Sequence, residues 1–282
     1  MIYIFTALYC EAKPVIQYFD LKRLPDINGF RFFSDGAVNL LITGTGALNA
    51  AIGVTALCSV HSPNPGDILV NIGICGTGNP DLKTGSLILC NKIVDLGAYK
   101  AYYPDMLFKH SFIEGTVLTS PVPVTGRTEG YNGDSGVTVT DMEASGVFHA
   151  GAVFFKTHQM FFFKIVSDHQ SGEELSSGKV SELTEANTAP VFGWITPIHG
   201  ELQGIQNVFS DDEKLLLKQL SEMLKLTVTM QHQLNQVMRY HKTRYGGFAD
   251  KLREFIADEL KQPCKTKNEG KKYFEELRKR FV

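Results

Sequence analysis

Four short, almost entirely apolar runs constrain most strongly which fold this chain can adopt. They cover residues 2–8, 38–43, 68–72 and 160–166, and none shows the alternation of apolar and polar residues that marks a half-buried strand. Such runs are typical of parallel strands that are covered on both faces. Residues 47–60 and 141–155, which lie between runs, have the length and pattern of helices. Strands that alternate with helices predict an α/β fold.

We therefore predict a three-layer α/β/α domain around a mixed, mostly parallel central sheet, with further strands at 86–94 and 137–140. Residues 210–213 form a capping-box signature, and apolar residues at spacings of three and four then predict one long helix up to Gly246-Gly247. That helix either packs on the domain or forms the seam of a dimer. We assign residues 1–245 to the α/β domain.

Residues 246–282 are predicted to be a separate, basic helical tail. Residues 241–282 contain 12 Lys and Arg against 7 Asp and Glu, although the whole chain has a net charge of −2. Two short amphipathic patterns, around Leu252 and around Phe274, predict helices that are too short to be stable alone. The tail must therefore dock on the domain, on a second subunit or on a partner.

Composition excludes several classes of protein. The five cysteines are odd in number and contain no C-x-x-C pair, which argues against a disulfide framework and a structural zinc site and favours a reducing, cytoplasmic location. No apolar run reaches the length of a membrane span, and the small net charge disfavours nucleic acid as a partner. The histidines form no ligand cluster by spacing, so we expect no metal and no organic cofactor.

Three segments that carry acids or glycines follow predicted strands. They are Tyr9–Glu11, Gly44–Gly46 and Ser167–Asp168. In open α/β sheets, ligands bind beyond the carboxyl ends of the strands, so these segments are candidates for one site. The turn Gly44-Thr45-Gly46 opens a helix, and its N–H groups could hold an anion or a polarised oxygen. A tight turn without a ligand is the alternative.

Two further segments extend the candidate site. Asp141-Met142-Glu143 places two carboxylates at the start of an otherwise apolar helix, where they either cap the helix or accept hydrogen bonds from a vicinal diol. The glycine-rich stretch from Gly73 to Gly78 allows a planar ligand to lie against the backbone, although glycines also simply make turns.

Six segments together resemble the nucleoside phosphorylase and nucleosidase family, which includes methylthioadenosine/S-adenosylhomocysteine nucleosidase. They occur in the family's order within residues 1–170, and the helix after 210 resembles the family's last helix. The segments are Ala7-Leu8-Tyr9-Cys10-Glu11, Thr43-Gly44-Thr45-Gly46, Asn71-Ile72-Gly73-Ile74-Cys75-Gly76, Asp81-Leu82-Lys83-Thr84-Gly85-Ser86, Thr140-Asp141-Met142-Glu143-Ala144 and Val166-Ser167-Asp168.

The resemblance implies a role for each matching residue. Asp168, which follows Ser167, would protonate or hydrogen-bond N7 of a purine leaving group. Glu143 would hold the ribose hydroxyls beside Met142, and Glu11 would orient an attacking water. The strip beside the base would be Gly73, Ile74, Cys75 and Gly76. The chain departs from the family at Lys164, where Arg is common, and at Ile74, where a small polar residue is frequent.

The implied function is cleavage of the N-ribosidic bond of a purine nucleoside or a 5′-modified nucleoside. We favour water over phosphate because Glu11 stands where related phosphorylases carry an arginine, and because residues 44–60 contain no Lys or Arg. Phosphorolysis is the alternative, with Lys13, Arg31 or a neighbouring subunit supplying positive charge. A non-catalytic nucleoside-binding module or partner protein is the alternative of another class. The resemblance also implies a homo-oligomer, a dimer or a hexamer.

Overall fold

The computed structural model describes residues 1–125, 136–170, 175–206, 209–260 and 262–281, without the side chains of residues 205 and 206. The chain divides into two compact units, residues Met1–Gln203 (unit 1) and residues Gly204–Val282 (unit 2). All strands of the described residues lie in unit 1, and the described part of unit 2 is helical apart from its turns.

Unit 1 holds one mixed sheet, and each of the predicted strands is present in it. The strands are β1 (Ile2–Thr6), β2 (Lys22–Ile27), β3 (Phe30–Ser34), β4 (Val38–Ile42), β5 (Ile68–Gly76), β6 (Leu87–Asp95), β7 (Lys100–Tyr102), β8 (Ile113–Thr119), β9 (Val137–Asp141) and β10 (Met160–Asp168). The sequence did not predict β2, β3, β7 or β8. Of these, β2 and β7 are largely exposed and therefore carry no apolar run.

Part of the sheet closes into a ring. β5 pairs with β10, β10 with β6, β6 with β8, β8 with β9, and β9 with β5. On its other side β5 pairs with β1, and the sheet continues through β4 and β3 to β2. β7 pairs with β6 outside this path. The ring brings the carboxyl ends of β5, β9 and β10 close to one another.

The prediction of a mostly parallel sheet is wrong. Five of the strand pairings among the described residues are parallel and five are antiparallel. One reason is the β2–β3 hairpin, whose turn is Asn28-Gly29 with φ of 49° and 86°. An Asn-Gly pair with positive φ at both residues is the preferred turn for two antiparallel strands.

Helices cover both faces of the sheet in unit 1. They are α1 (Tyr9–Tyr18), α2 (Ala47–His61), α3 (Ala144–Gly151) and α4 (Ser177–Gln206). Tyr3 and Phe5 of β1 belong to the apolar cluster that contains α2 and α3. Ile2 and Ile4 belong to the cluster that contains α1 and α4. Although α4 has 30 residues, no helix of the described residues is long and apolar enough to cross a membrane.

The helix predicted at 141–155 is shorter than expected. β9 continues to Asp141, which pairs with Thr119 of β8, and α3 begins only at Ala144. Met142 and Glu143 therefore form the link between strand and helix. This link places Glu143 at the N-cap position of α3.

The described part of unit 2 contains four complete helices around one apolar cluster. They are α5 (Asp211–Met223), α6 (Val228–Tyr245), α7 (Ala249–Glu259) and α8 (Lys267–Phe281). The prediction of one long helix after 210 is wrong, because α5 ends before Leu224 and Lys225 has a φ of 49°. Thr227 then caps α6 by accepting a hydrogen bond from the N–H of Met230. The apolar spacing keeps its phase across this break, so the sequence pattern does not reveal it.

The boundary between the units differs from the predicted one after Tyr245. Buried Leu220 of α5 and Leu234 of α6 share one apolar cluster with Phe255 of α7 and Phe274 of α8. The four helices therefore form one body, and the predicted tail is half of it. The capping box at Ser210 and Glu213 is present in α5, as the sequence predicts.

Candidate active site

A cavity of about 360 Å³ opens where several elements of unit 1 end. Its walls come from the segment after β1, from the ends of β5, β9 and β10, and from residues 123–125. It brings together most of the predicted site residues. These are Glu11, Thr45, Ile74, Cys75, Gly76, Met142, Glu143, Ser167 and Asp168. Gly44, Gly46 and Gly73 do not line the cavity, but each lies against a residue that does.

Glu11 lies in the first turn of α1 and is buried. One carboxylate oxygen, Oε2, accepts hydrogen bonds from the N–H groups of Ala7 and Leu8, at 2.9 and 2.8 Å. The other, Oε1, accepts one from the N–H of Ile74 at 2.9 Å. Burial raises the pKa of Glu11, while these three bonds oppose the rise. The carboxylate is thus held rigidly against the end of β5.

The position of the Glu11 carboxylate leaves no room for a side chain at position 73. A Cβ atom at position 73 would lie 2.8 Å from Oε1 of Glu11, which is closer than real Cβ contacts. The predicted strip from Gly73 to Gly76 therefore has two parts. Gly73 packs against the Glu11 carboxylate, whereas Ile74, Cys75 and Gly76 line the cavity.

Glu143 lies directly before α3 and ties that helix to the start of α2. Its Oε1 accepts a hydrogen bond from the N–H of Gly46 at 2.8 Å. Burial and the nearby carboxylate of Asp141 raise the pKa of Glu143 to about 7, against the opposing effect of Lys164. The N–H of Gly44 donates to the carbonyl oxygen of Ala7 at 3.1 Å. Two N–H groups of the predicted anion loop are therefore already bound by acceptors of the protein.

A buried ion pair lies behind the cavity. Lys164 of β10 has an exposed fraction of 1%, and its Nζ lies 2.7 Å from Oδ2 of Asp141. Asp141 also accepts hydrogen bonds from the hydroxyl of Thr119 and from the N–H of Ala144, each at 2.8 Å. Burial lowers the pKa of Lys164, but the carboxylates of Asp141 and Glu143 outweigh it and raise this pKa overall. Lys164 thus stays charged and partly neutralises the acids around it.

Asp168 ends β10 and lines the cavity with both carboxylate oxygens held. The hydroxyl of Ser167 donates to Oδ2 at 2.7 Å, and the N–H of Gln170 donates to Oδ1 at 2.8 Å. The Ser167 hydroxyl also lies 3.0 Å from the carbonyl oxygen of Cys75. Because a hydroxyl has one hydrogen, Ser167 can donate to only one of these two oxygens at a time.

Sequence reasoning missed Gln170, Thr140 and residues 123–125 as parts of the wall. Nothing in the sequence marks Gln170, which follows a strand end and has a polar side chain like many turn residues. In the sequence Lys164 stands as a departure from a family, and it is also the single charged residue within the apolar run of β10. A lone charge in a doubly covered strand requires a buried partner, so this signal could have predicted an ion pair.

Comparisons with known proteins identify the fold through structure alone. No protein-family model matches the chain, and no curated protein matches its sequence. Solved structures do match. 5′-Methylthioadenosine nucleosidase of Arabidopsis thaliana is 18% identical, with a TM-score of 0.56 over 72% of this chain and 96% of that chain. 5′-Methylthioadenosine/S-adenosylhomocysteine nucleosidase of Neisseria meningitidis, in complex with methylthio-immucillin-A, is 17% identical, with a TM-score of 0.56 over 69% and 97%.

Futalosine hydrolase of Helicobacter pylori is 15% identical, with a TM-score of 0.54 over 70% of this chain and 97% of that chain. The chain has the fold of these nucleosidases. The predicted resemblance is therefore confirmed for the fold, and nearly the whole length of each nucleosidase is matched. The matched share of this chain is close to the share that unit 1 makes up. At this level of identity, the roles of individual residues stay predictions.

Proposed function

We propose that the protein cleaves the N-ribosidic bond of a purine nucleoside or a 5′-modified nucleoside, with water as the nucleophile. One observation carries the proposal: Glu11, Glu143 and Asp168, from three separate elements, line one cavity in a chain with the nucleosidase fold. Each acid is buried or held by hydrogen bonds, so none is merely a solvated surface residue. Unit 1 is proposed to carry the activity.

Asp168 is proposed as the general acid. A purine is a poor leaving group as an anion, so proton donation to N7 should accelerate cleavage about 10²–10⁴-fold. The bonds from Ser167 and Gln170 fix the plane of the carboxyl group, and β10 fixes its position. A fixed acid is effective because no reorganisation is needed when the bond to the base breaks.

Glu143 and Met142 are proposed to face the sugar. Cleavage passes through an oxocarbenium-like state, in which positive charge develops on the ribose ring. A carboxylate that accepts hydrogen bonds from the ribose hydroxyls also stabilises this charge. Only one bond from the protein to the Glu143 side chain is found among the described residues, that from the N–H of Gly46. The carboxylate therefore retains lone pairs for the sugar.

Glu11 is proposed to orient the attacking water. A carboxylate offers about four lone pairs, and three of them are taken by backbone N–H groups. The remaining one, on Oε1, can accept a hydrogen bond from a single water. The backbone bonds set the direction of that lone pair, so the water would be held in one position.

The charge of the cavity favours water over phosphate. Four carboxylates, but no Lys or Arg, are found among the described residues that line it. Lys164 is occupied by Asp141, and the guanidinium of Arg31 lies 5.2 Å from the centre of the Tyr9 ring. A phosphate dianion would therefore meet negative charge at most walls, which disfavours its binding.

We also propose a homo-oligomer that forms through α2. This helix contains no Asp, Glu, Lys or Arg over Ala47–His61, and Leu48 and Ile52 are exposed by 75% and 50%. A helix that is apolar all round is normally buried, so its outer face requires a cover. A second copy of the same uncharged face fits it without leaving a buried charge.

Five free cysteines support the predicted cytoplasmic location.

A nucleoside panel tests the proposed function. Purified protein is incubated with adenosine, inosine, guanosine and 5′-methylthioadenosine, with and without phosphate, and the products are separated. We expect free base and free ribose or 5′-modified ribose from at least one of these nucleosides without phosphate. Ribose 1-phosphate formed only with phosphate would establish the phosphorylase alternative. Tight binding without any product would establish a non-catalytic binding module instead.

A further inference from the structure

Gln170 has an unusual combination of features for a residue in a turn. Its φ is +59°, and the residue is 95% buried, with an exposed fraction of 5%. Its N–H donates to Oδ1 of Asp168 at 2.8 Å, and its Nε2 donates to the hydroxyl oxygen of Thr140 at 3.1 Å. Its Oε1 is buried and has no hydrogen-bond partner among the described residues.

Two of these features are unfavourable for folding. A residue with a side chain rarely adopts the left-handed region of φ, which glycine enters without strain. A buried acceptor without a partner loses its bonds to water and gains none in return. Both occur at the residue two positions after the proposed acid. Strain of this kind accumulates where the surrounding structure holds a group for function.

The side chain of Gln170 packs beside the carboxylate of Asp168 at the end of β5. A Cβ atom at Gly76 would lie 3.2 Å from Oδ1 of Asp168, 3.2 Å from the hydroxyl oxygen of Thr140 and 3.3 Å from Cγ of Gln170. These three groups therefore surround the same point of β5. The hydroxyl of Thr140 in turn donates to the carbonyl oxygen of Gly76 at 3.3 Å. Gln170 thus links the acid to β9 and β5 at once.

We propose that Gln170 is a positioning residue for Asp168. Its carboxamide, anchored on Thr140, holds the turn after β10 in the left-handed conformation that aims its N–H at Oδ1. Without the anchor the turn relaxes, and the carboxylate loses its fixed plane towards the base. This inference rests on the proposed function, because it assigns Gln170 to the same reaction.

Two variants separate positioning from simple packing. Gln170→Met has similar length but no hydrogen-bonding amide, and it retains the backbone N–H. We expect it to melt at or above the wild-type temperature, because it removes a buried oxygen that has no hydrogen-bond partner in the described part of the chain. We expect its kcat to fall about tenfold while KM changes less than about threefold, as for an interaction that matters mainly in the transition state. Gln170→Gly relieves the strained φ and should show the same loss of kcat.

Tyr99→Gly is the matched control. Tyr99 also has a positive φ, 52°, but it is exposed and does not line the cavity. The control should keep the wild-type kcat and KM. A kcat within about twofold of wild type in Gln170→Met would overturn the proposal, as would parallel losses of kcat and melting temperature. If Gln170→Met does not fold, the kcat of Gln170→Gly decides in the same way.

Equilibrium binding distinguishes failure of this inference from failure of the proposed function. If the wild-type protein cleaves no nucleoside, the proposed function fails, and 9-deazaadenine then serves as the probe. Its N7 carries a hydrogen that an ionised Asp168 can accept. We expect Gln170→Met to bind it about tenfold more weakly than wild type, with Tyr99→Gly unchanged. Equal affinity of wild type and Gln170→Met, or no binding by the wild type, would overturn the positioning role.

Discussion

At the scale of single residues, the proposed chemistry depends most directly on Asp168. Asp168→Asn preserves the shape of the side chain, and an amide oxygen can still accept the bond from Ser167. An amide cannot transfer a proton to N7, however, so we expect kcat to fall at least about 10²-fold. Base release, followed with a thermal melt of the same sample, checks this. Turnover at the wild-type rate would remove Asp168 from the role of general acid.

Glu143 should make stability depend on pH. Its pKa is raised from the ordinary value to about 7, so the folded state binds a proton more tightly than the unfolded chain does. The cost of ionising it is absent at pH 4, grows as pH rises and is complete above pH 7. Because Gln carries no charge, we expect Glu143→Gln to be more stable than wild type at pH 8 by about 2–3 kcal/mol relative to their difference at pH 4. Urea unfolding of both proteins at both pH values measures this difference in the free energy of unfolding. A difference that does not vary with pH would contradict the raised pKa of Glu143.

Gly73→Ala tests the wall behind Glu11. The added Cβ would lie 2.8 Å from Oε1 of Glu11, so the carboxylate must move from its three N–H partners. We expect a chain that folds but loses about tenfold or more in kcat, because the proposed water is no longer aligned. The conservative comparison is Gly178→Ala in α4, where the added Cβ meets nothing within 4 Å. Equal activity of the two variants would show that Glu11 tolerates displacement.

At the scale of elements, α2 should control assembly. Ile52→Arg places a charge on the exposed apolar face of this helix. We expect the sedimentation coefficient to fall towards that of a monomer, because a charge buried without a partner costs several kcal/mol in an interface. The helix should remain, since Arg is a good helix former. Sedimentation of an unchanged oligomer would show that another surface joins the subunits.

The sequence predicts the doubly covered strands well but the exposed ones poorly. β1, β4, β5 and β10 are buried on both faces, and apolar runs therefore identify them directly. β2 shows no such run, so the antiparallel part of the sheet could be recognised only from the Asn28-Gly29 turn. The acids of the candidate site can be recognised in the sequence because they follow buried strands or stand at the start of a predicted helix. Gln170 acts through its backbone conformation and through Thr140, which no local pattern encodes.

At the scale of the whole molecule, the boundary between the units can be tested by truncation. A chain that ends at Gln206 keeps α4 and all of unit 1, and we expect it to fold and to release base. A chain that ends at Tyr245 keeps α5 and α6 without α7 and α8, which exposes residues such as Leu220 and Leu234. Each of these contributes roughly 1.5–3 kcal/mol when it is buried.

We therefore expect the chain that ends at Tyr245 to aggregate or to melt lower than both the shorter chain and the full chain. Thermal melting, sedimentation and base release of the three proteins make the comparison. If the chain 1–206 is unfolded, unit 1 requires unit 2 in order to fold. A stable chain 1–245 that melts like the full chain would restore the boundary predicted from the sequence.

The hairpin strand β2 has a consequence for behaviour at high concentration. It lies last in the sheet beyond β3, its residues are largely exposed, and no strand of the described residues pairs with its other side. Such a strand is a template onto which another extended chain can add, and sheets that grow in this way form fibres. Here Pro25 removes one of the N–H donors, and Lys22, Arg23 and Asp26 set charges along the strand. The open side of the sheet is thereby protected against growth, so crowding should leave this protein free of fibrous aggregates.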